Sequence, residues 1–295
     1  MKFLIFGGNG LVGKELQTVL KQRGHDCVAT YRNNNADGQI ICDILKYDDL
    51  KRAFEQAKPD VVINSTNLAG GVDFCENNPE LAKAFHCQAN KDMANLAKEY
   101  GARMVLISTD YVFDGTKPPY SEGDATNPLN VYGKEKLCAE NYILETLGDK
   151  GLVARTTNVY GWDPHTKTPN FLIGIYPKLK AGESVNAPSF LLGNPTLAED
   201  LAAAIVDLCE ADASGIYHVV GPDYIDRFSW AKRYAEVMGF NPAQITEVPS
   251  PPAVLVPRPF KSHLSINKLN AKVSTKMRGV EEGLQAFKEA SLQSI

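Results

Sequence analysis

Long apolar runs are missing from this chain. The apolar opening from Met1 to Phe6 stops at a glycine. It is too short for a signal-peptide core or a bilayer span. Basic runs are missing too, and the formal net charge is -4 over 295 residues. Neither nucleic acid nor an anionic membrane is therefore expected as the main partner. The six cysteines (Cys27, Cys42, Cys75, Cys87, Cys138 and Cys209) include no CxxC pair. Scattered in this way they read as reduced, mostly buried thiols, and neither a zinc site nor a disulfide framework is expected. No internal repeat, linker or low-complexity segment appears. What remains is the composition of an ordinary globular protein in the cytoplasm, 44% hydrophobic and 22% charged.

Within that composition, short apolar runs alternate with longer amphipathic segments up to Gly161. KFLIF, DCVATYR, PDVVINST, ARMVLIST and GLVARTTNVYG read as strands. The stretches between them read as helices, including one long helix over NPELAKAFHCQANKDMANLAKEYG. This alternation predicts βαβ units, hence an α/β fold with a doubly wound parallel sheet covered on both faces. After Gly161 the pattern changes. Residues 162–195 are rich in Pro, Gly and Asn, a helix follows over 196–210, and closely spaced prolines in SPPAVLVPRPF force an extended path. The expected division is a dinucleotide-binding domain over 1–161, with 196–221 returning to it. Residues 162–195 and 222–295 would form a smaller, interleaved substrate-binding lobe.

Gly7, Gly10 and Gly13 stand in GGNGLVG, directly after the first strand and at the start of a helix. In that context glycines permit a tight turn, close approach to pyrophosphate and close helix–sheet packing. The helix start at Leu11 and Val12 would offer free amides to phosphate. The second strand ends TYRNNN, with Arg32 and no carboxylate before Asp37, which favours NADPH, with NADH as the alternative. Asp43, closing the next strand, is a candidate for the adenine or for helix capping. Further on, Tyr132 and Lys136 lie four apart in YGKEK, on one face of a helix. An ammonium beside a phenol favours its ionised form, so such a tyrosine can trade a proton with a substrate oxygen.

GGNGLVG, VDFCE, ISTDYVFDG, NVYGKEK, ARTTNVYG and PRPFKSHL occur here in the order that characterises a known family. The chain resembles the dTDP-4-dehydrorhamnose reductases, which are extended short-chain dehydrogenase/reductases of Rossmann type. The resemblance runs from residue 1 to about residue 285. It implies NADPH-dependent reduction of the C4 ketone of a nucleotide-linked 4-keto-6-deoxysugar. It also implies catalytic roles for Thr109, Tyr132 and Lys136, with Tyr132 as proton donor and Lys136 lowering its pKa and holding the nicotinamide ribose. Ser108, Asn158, Tyr160 and Arg258 are the residues it implies for the substrate, Arg258 at the diphosphate. A homodimer is compatible with the family, and no ligand cluster marks a metal site.

Three departures bear on the sugar. Asn158 stands where the family often has Trp, His86 where it has Asn, and Leu191 where an acidic–amide pair is common. His86 reads more simply as a helix residue packed on the sheet than as a proton relay. An NAD-retaining nucleotide-sugar epimerase is an alternative. A third is a cofactor-binding regulatory subunit similar to that of methionine adenosyltransferase.

Overall fold

The computed structural model describes residues 1–32, 40–166 and 168–293. Asp37 lies outside them. Seven strands form the main sheet: β1 (Lys2–Phe6), β2 (Asp26–Tyr31), β3 (Ile40–Ile41), β4 (Val61–Asn64), β5 (Arg103–Thr109), β6 (Gly151–Thr156) and β7 (Gly215–His218). All pairs are parallel, in the order β7-β6-β5-β4-β1-β2-β3. Phe3 to Phe6 of β1 are fully buried, as a central strand covered on both faces requires.

Among the described residues, five longer helices cover the two faces and three more build the carboxy-terminal lobe. They are α1 (Leu11–Gln22), α2 (Tyr47–Ala57), α3 (Ala89–Glu99), α4 (Val131–Leu147), α5 (Phe171–Lys180), α6 (Ala198–Glu210), α7 (Arg227–Met238) and α8 (Val280–Gln293). Alternation along β1 sends Phe3 and Ile5 into one core with Leu16 and Leu20 of α1 and Leu201 and Ile205 of α6. Leu4 and Phe6 enter the opposite core with Leu50 and Phe54 of α2 and Met93 of α3. The chain runs outward from β1 to β3 and then returns to β4 on the other side of β1. Strand order therefore reverses between β1 and β4, and the crevice beyond their carboxyl ends is where an open sheet of this kind takes a ligand.

The long helix expected from Asn78 onward is interrupted. A helical turn over Pro79–Lys83 passes through a π-helical turn, Ala84–Gln88, into α3. Its extra residue projects His86 and Cys87 towards α4. A third core, built from Tyr160, Leu172, Leu179, Trp230, Tyr234, Leu284 and Phe287, lies in the carboxy-terminal lobe. Short strands frame it: Leu192–Gly193 pairs with Ile225–Asp226 and Lys261–Ser262, and Val185–Pro188 pairs with Ile245–Val248. The lobe is less contiguous than its sequence limits suggest. Leu269 and Met277 pack back onto the sheet core with Ile266 and Val273, while Tyr160 crosses the other way.

One cysteine expectation fails. Cys87 on the π turn and Cys138 on α4 are brought to a Cα separation of 5.6 Å and joined by a disulfide. Packing of two helices 51 residues apart in sequence creates this pair, which spacing along the chain does not reveal. The other four cysteines are free. Among the described residues no helix is long and apolar enough to cross a membrane.

Candidate active site

The site begins where β1 ends. Gly7 adopts φ +93°, and a Cβ on Gly13 would lie 2.1 Å from the Gly7 carbonyl oxygen. The loop thus closes onto the first turn of α1 with no room for a side chain. Gly10 caps α1 without a side-chain hydrogen bond, and the first turn contains no acid, so the opening amides face outward unneutralised. A pyrophosphate fits that cradle. Arg32 follows β2 with its side chain 68% exposed, 4.0 Å from the Asp43 carboxylate. Asp43 does not cap α2. It accepts from the Leu45 amide at 3.2 Å within its own turn.

The start of α4 is fixed from three directions. The Asn130 side chain accepts from the Gly133 amide at 2.9 Å and donates to the Pro257 carbonyl at 2.9 Å. Glu76, in the short helix Gly71–Asn77, accepts from the Val131 amide at 2.9 Å. These bonds set Tyr132 and Lys136 against the carboxyl end of β5. There Thr109, Tyr132 and Lys136 meet in the wall of one cavity of about 370 Å³, together with Val12, Thr66 and Asn158.

Tyr132 is wedged between rings, with His86 at 5.1 Å and Tyr111 at 5.8 Å, both edge-on. Burial pushes its phenol well above the ordinary tyrosine value, and a hydrogen bond with Thr109 opposes part of that rise. Lys136 is 3% exposed and donates to the Ile107 carbonyl at 3.0 Å. Burial pulls its ammonium down to about 8, against the opposing charge of Glu140. Burial is the largest influence on the Tyr132 phenol and sets its direction, above the ordinary value, despite the neighbouring cation. His86, pushed down to about 2 by burial and then by Lys136, is neutral and packs on Tyr132. Thr109 donates to Asp110 at 3.1 Å, and burial raises that carboxyl.

Beneath the cavity lies an ion pair. Arg155 is held by Glu140 at 2.7 Å, both side chains almost wholly buried, and the guanidinium lies 5.1 Å from the Phe113 ring centre. Ser108 donates to Glu140 at 2.5 Å. Ser108 reaches the cavity wall, but its hydroxyl is committed to Glu140 rather than to a ligand.

Two further residues expected at the substrate do not line the cavity. Tyr160 is 1% exposed in the lobe core, edge-on to Trp230, because Val159–Tyr160 pairs with Thr196–Leu197 and turns the ring away. Arg258 is absent from the cavity wall; it ion-pairs with Asp73 at 2.5 Å and bonds its own loop at Val256. Asn158 does line the cavity, at φ +47°. Sequence reading missed Glu140, Glu76 and Arg227. Arg227 carried a signal, since a cation in the first turn of a helix opposes the helix dipole. Cys87, Glu135 and Cys138 are the one three-residue group among the described residues with metal-ligand spacing, and its two sulfurs are bonded to each other.

Fold and site together define a short-chain dehydrogenase/reductase, a doubly wound sheet with a glycine loop and a Thr–Tyr–Lys group at its switch point. Within that class the chain belongs to the family described by the RmlD substrate binding domain, whose model matches residues 1–292. It is 33% identical to the dTDP-4-dehydrorhamnose reductase of Burkholderia thailandensis over 290 residues, 92% of this chain and 93% of that one. A solved dTDP-4-dehydrorhamnose reductase from Bacillus anthracis, in complex with NADP, superposes with a TM-score of 0.86. The two are 27% identical and the match covers 98% of this chain and 100% of that one. Methionine adenosyltransferase 2 subunit beta of Xenopus tropicalis is 27% identical over 96% of this chain and 87% of its own length.

Proposed function

We propose that this chain is an NADPH-dependent reductase of the C4 ketone of a nucleotide-linked 4-keto-6-deoxysugar. The observation that carries the reading is the convergence of Thr109, Tyr132 and Lys136 in one cavity beside the glycine loop. The reductase relatives from Burkholderia thailandensis and Bacillus anthracis support the substrate class.

NADPH would lie with its pyrophosphate on the opening amides of α1 and its 2′-phosphate at Arg32; NADH is the second choice. When bound, the cofactor supplies hydride to the carbonyl carbon. The chain's own residues do the rest. The Thr109 hydroxyl, which donates to Asp110 in the free protein, would turn to donate to the substrate carbonyl oxygen and orient it. Tyr132, protonated throughout the working pH range because burial raises its pKa, gives its proton to that oxygen. The buried Lys136 ammonium provides positive charge beside the tyrosinate left behind and a donor for the nicotinamide ribose. His86 and Tyr111 exclude water from the phenol with their ring edges. The reaction belongs in the cytoplasm, where sugar nucleotides and reduced nicotinamide meet, and the family resemblance supports a homodimer.

The test is NADPH absorbance on addition of dTDP- or UDP-4-keto-6-deoxyglucose. Wild type should oxidise NADPH, and Tyr132→Phe should lose about 10²–10⁴-fold in turnover with little change in cofactor affinity. A Tyr132→Phe variant that turns over as fast as wild type would overturn the proton-donor role. The similarity to methionine adenosyltransferase 2 subunit beta favours a second reading, a cofactor-binding regulatory subunit. A stable partner enzyme in a pull-down, with no oxidation on any sugar nucleotide, would select it.

A further inference from the structure

Arg227 has no part in proton or hydride transfer, yet it lines the main cavity and a small cavity adjoining it. Its electrostatic situation is singular. Each of the eight other arginines has a carboxylate within 4.0 Å, from Arg23 with Asp207 to Arg278 with Glu199. Arg227 has none among the described residues. Its guanidinium instead donates to the Asn158 side-chain oxygen at 3.2 Å and lies 5.4 Å from the Phe171 ring centre.

That arrangement is held in place. Asn158 takes a left-handed backbone conformation, and its amide lies against Gly193, where a Cβ would come within 2.5 Å of the amide nitrogen. Any side chain at 193 would displace the amide that orients the arginine. With one face on Phe171 and one edge on Asn158, the guanidinium keeps unused N–H donors for the cavity. A guanidinium has five such donors in a planar fork, matched to paired anionic oxygens. A half-buried cation without a counter-charge is costly to maintain, and a ligand anion would remove that cost. Its field reaches the reaction centre: the Tyr111 phenol, raised by burial and by Asp110, is drawn back by Arg227, and Tyr111 rests on Tyr132.

We propose that Arg227, oriented by Asn158, is the anion-reading residue of this site and binds paired anionic oxygens of the sugar nucleotide. The inference rests on the sugar-nucleotide reading above. The diphosphate of the substrate presents that chemistry, since the 6-deoxysugar proposed above carries no carboxylate. Reading it sets specificity for nucleotide-linked over free sugars.

Calorimetric titration of the NADP-loaded protein tests this without requiring turnover. Wild type, Arg227→Met and Arg227→Lys are titrated with thymidine diphosphate and with the pair UDP-glucuronate and UDP-glucose. Arg227→Met should weaken thymidine diphosphate by about tenfold or more, with partial recovery in Arg227→Lys and an unchanged NADP affinity. If thymidine diphosphate is unaffected but preference for UDP-glucuronate over UDP-glucose falls by about tenfold, Arg227 reads a sugar carboxylate, which overturns both this assignment and the 6-deoxysugar reading. Affinities within about twofold of wild type for all three ligands would overturn the proposal, as would a wild type that binds none of them. The reductase reading fails differently, by absence of NADPH oxidation in the assay above.

Discussion

Replacing Lys136 with methionine should abolish reduction and, at neutral pH, make the protein more stable. An ordinary lysine titrates near 10.4, and burial brings Lys136 to about 8. At about 1.4 kcal/mol per tenfold, keeping this ammonium charged inside the fold costs about 3 kcal/mol at pH 7. Methionine removes that cost and fills similar space, but forfeits the ammonium's bond to the Ile107 carbonyl, worth about 2 kcal/mol. A net gain of about 1 kcal/mol is expected. Glu140 is not stranded, because it keeps Arg155 and Ser108. Cys75 and His86 also face the ammonium, and neither carries a charge that would replace it.

The sign with pH follows from the depressed folded pKa. Between about 8 and about 10.4 the unfolded lysine keeps its proton and the folded one has lost it. Wild type therefore gains stability as pH rises through that window, and the advantage of the variant disappears. Urea unfolding of both proteins at pH 7 and pH 10 measures the difference. A variant less stable than wild type at pH 7, or a gap that does not change with pH, would refute the burial argument.

Three other perturbations have expected outcomes. Gly13→Ala places a methyl 2.1 Å from the Gly7 oxygen, so the loop must shift and NADPH affinity should fall by about tenfold or more; an unchanged dissociation constant by fluorescence titration would contradict the cradle. Glu140→Ala leaves the Arg155 charge buried without a carboxylate and should destabilise by about 3–5 kcal/mol, read from the urea midpoint. Reducing the Cys87–Cys138 bond, which closes a separation of 51 residues, should remove up to about 4 kcal/mol, seen as a lower unfolding temperature in dithiothreitol.

Local chemistry explains which features could be read from sequence. The glycine loop, the Tyr132–Lys136 spacing and the strand–helix alternation each depend on a few consecutive residues, and each appears in the structure in the expected form. The same spacing carried no information about burial, which raises the Tyr132 phenol and lowers the Lys136 ammonium. Ser108 looked available because its partner, Glu140, is 32 residues away. Tyr160 looked like a pocket residue until pairing with Thr196–Leu197 turned it into the lobe. The disulfide and the π turn behind it arise from helix packing across α4, which leaves no periodic trace. Arg227 was passed over because its meaning depends on an absent carboxylate, and absence of a partner is visible only in three dimensions.

The interleaving of the two lobes has a consequence for how the chain is made. From Ala154 in the sheet core the chain enters the lobe at Tyr160, returns at Leu201, leaves again at Ile225, returns at Leu269 and ends in the lobe from Val280. The core under Leu4 and Phe6 is complete by Leu147, but neither the opposite sheet core nor the lobe core can be completed by an amino-terminal fragment. A nascent chain that has delivered the glycine loop, Thr109, Tyr132 and Lys136 still lacks β7, α6 and the lobe helices α5, α7 and α8. The catalytic group is thus synthesised together with the rings that bury it but before Asn158, Phe171, Arg227 and Trp230 complete the cavity wall. Covering the other face of the sheet has to wait for Leu269 and Met277, with its apolar side chains exposed to chaperones in the interval.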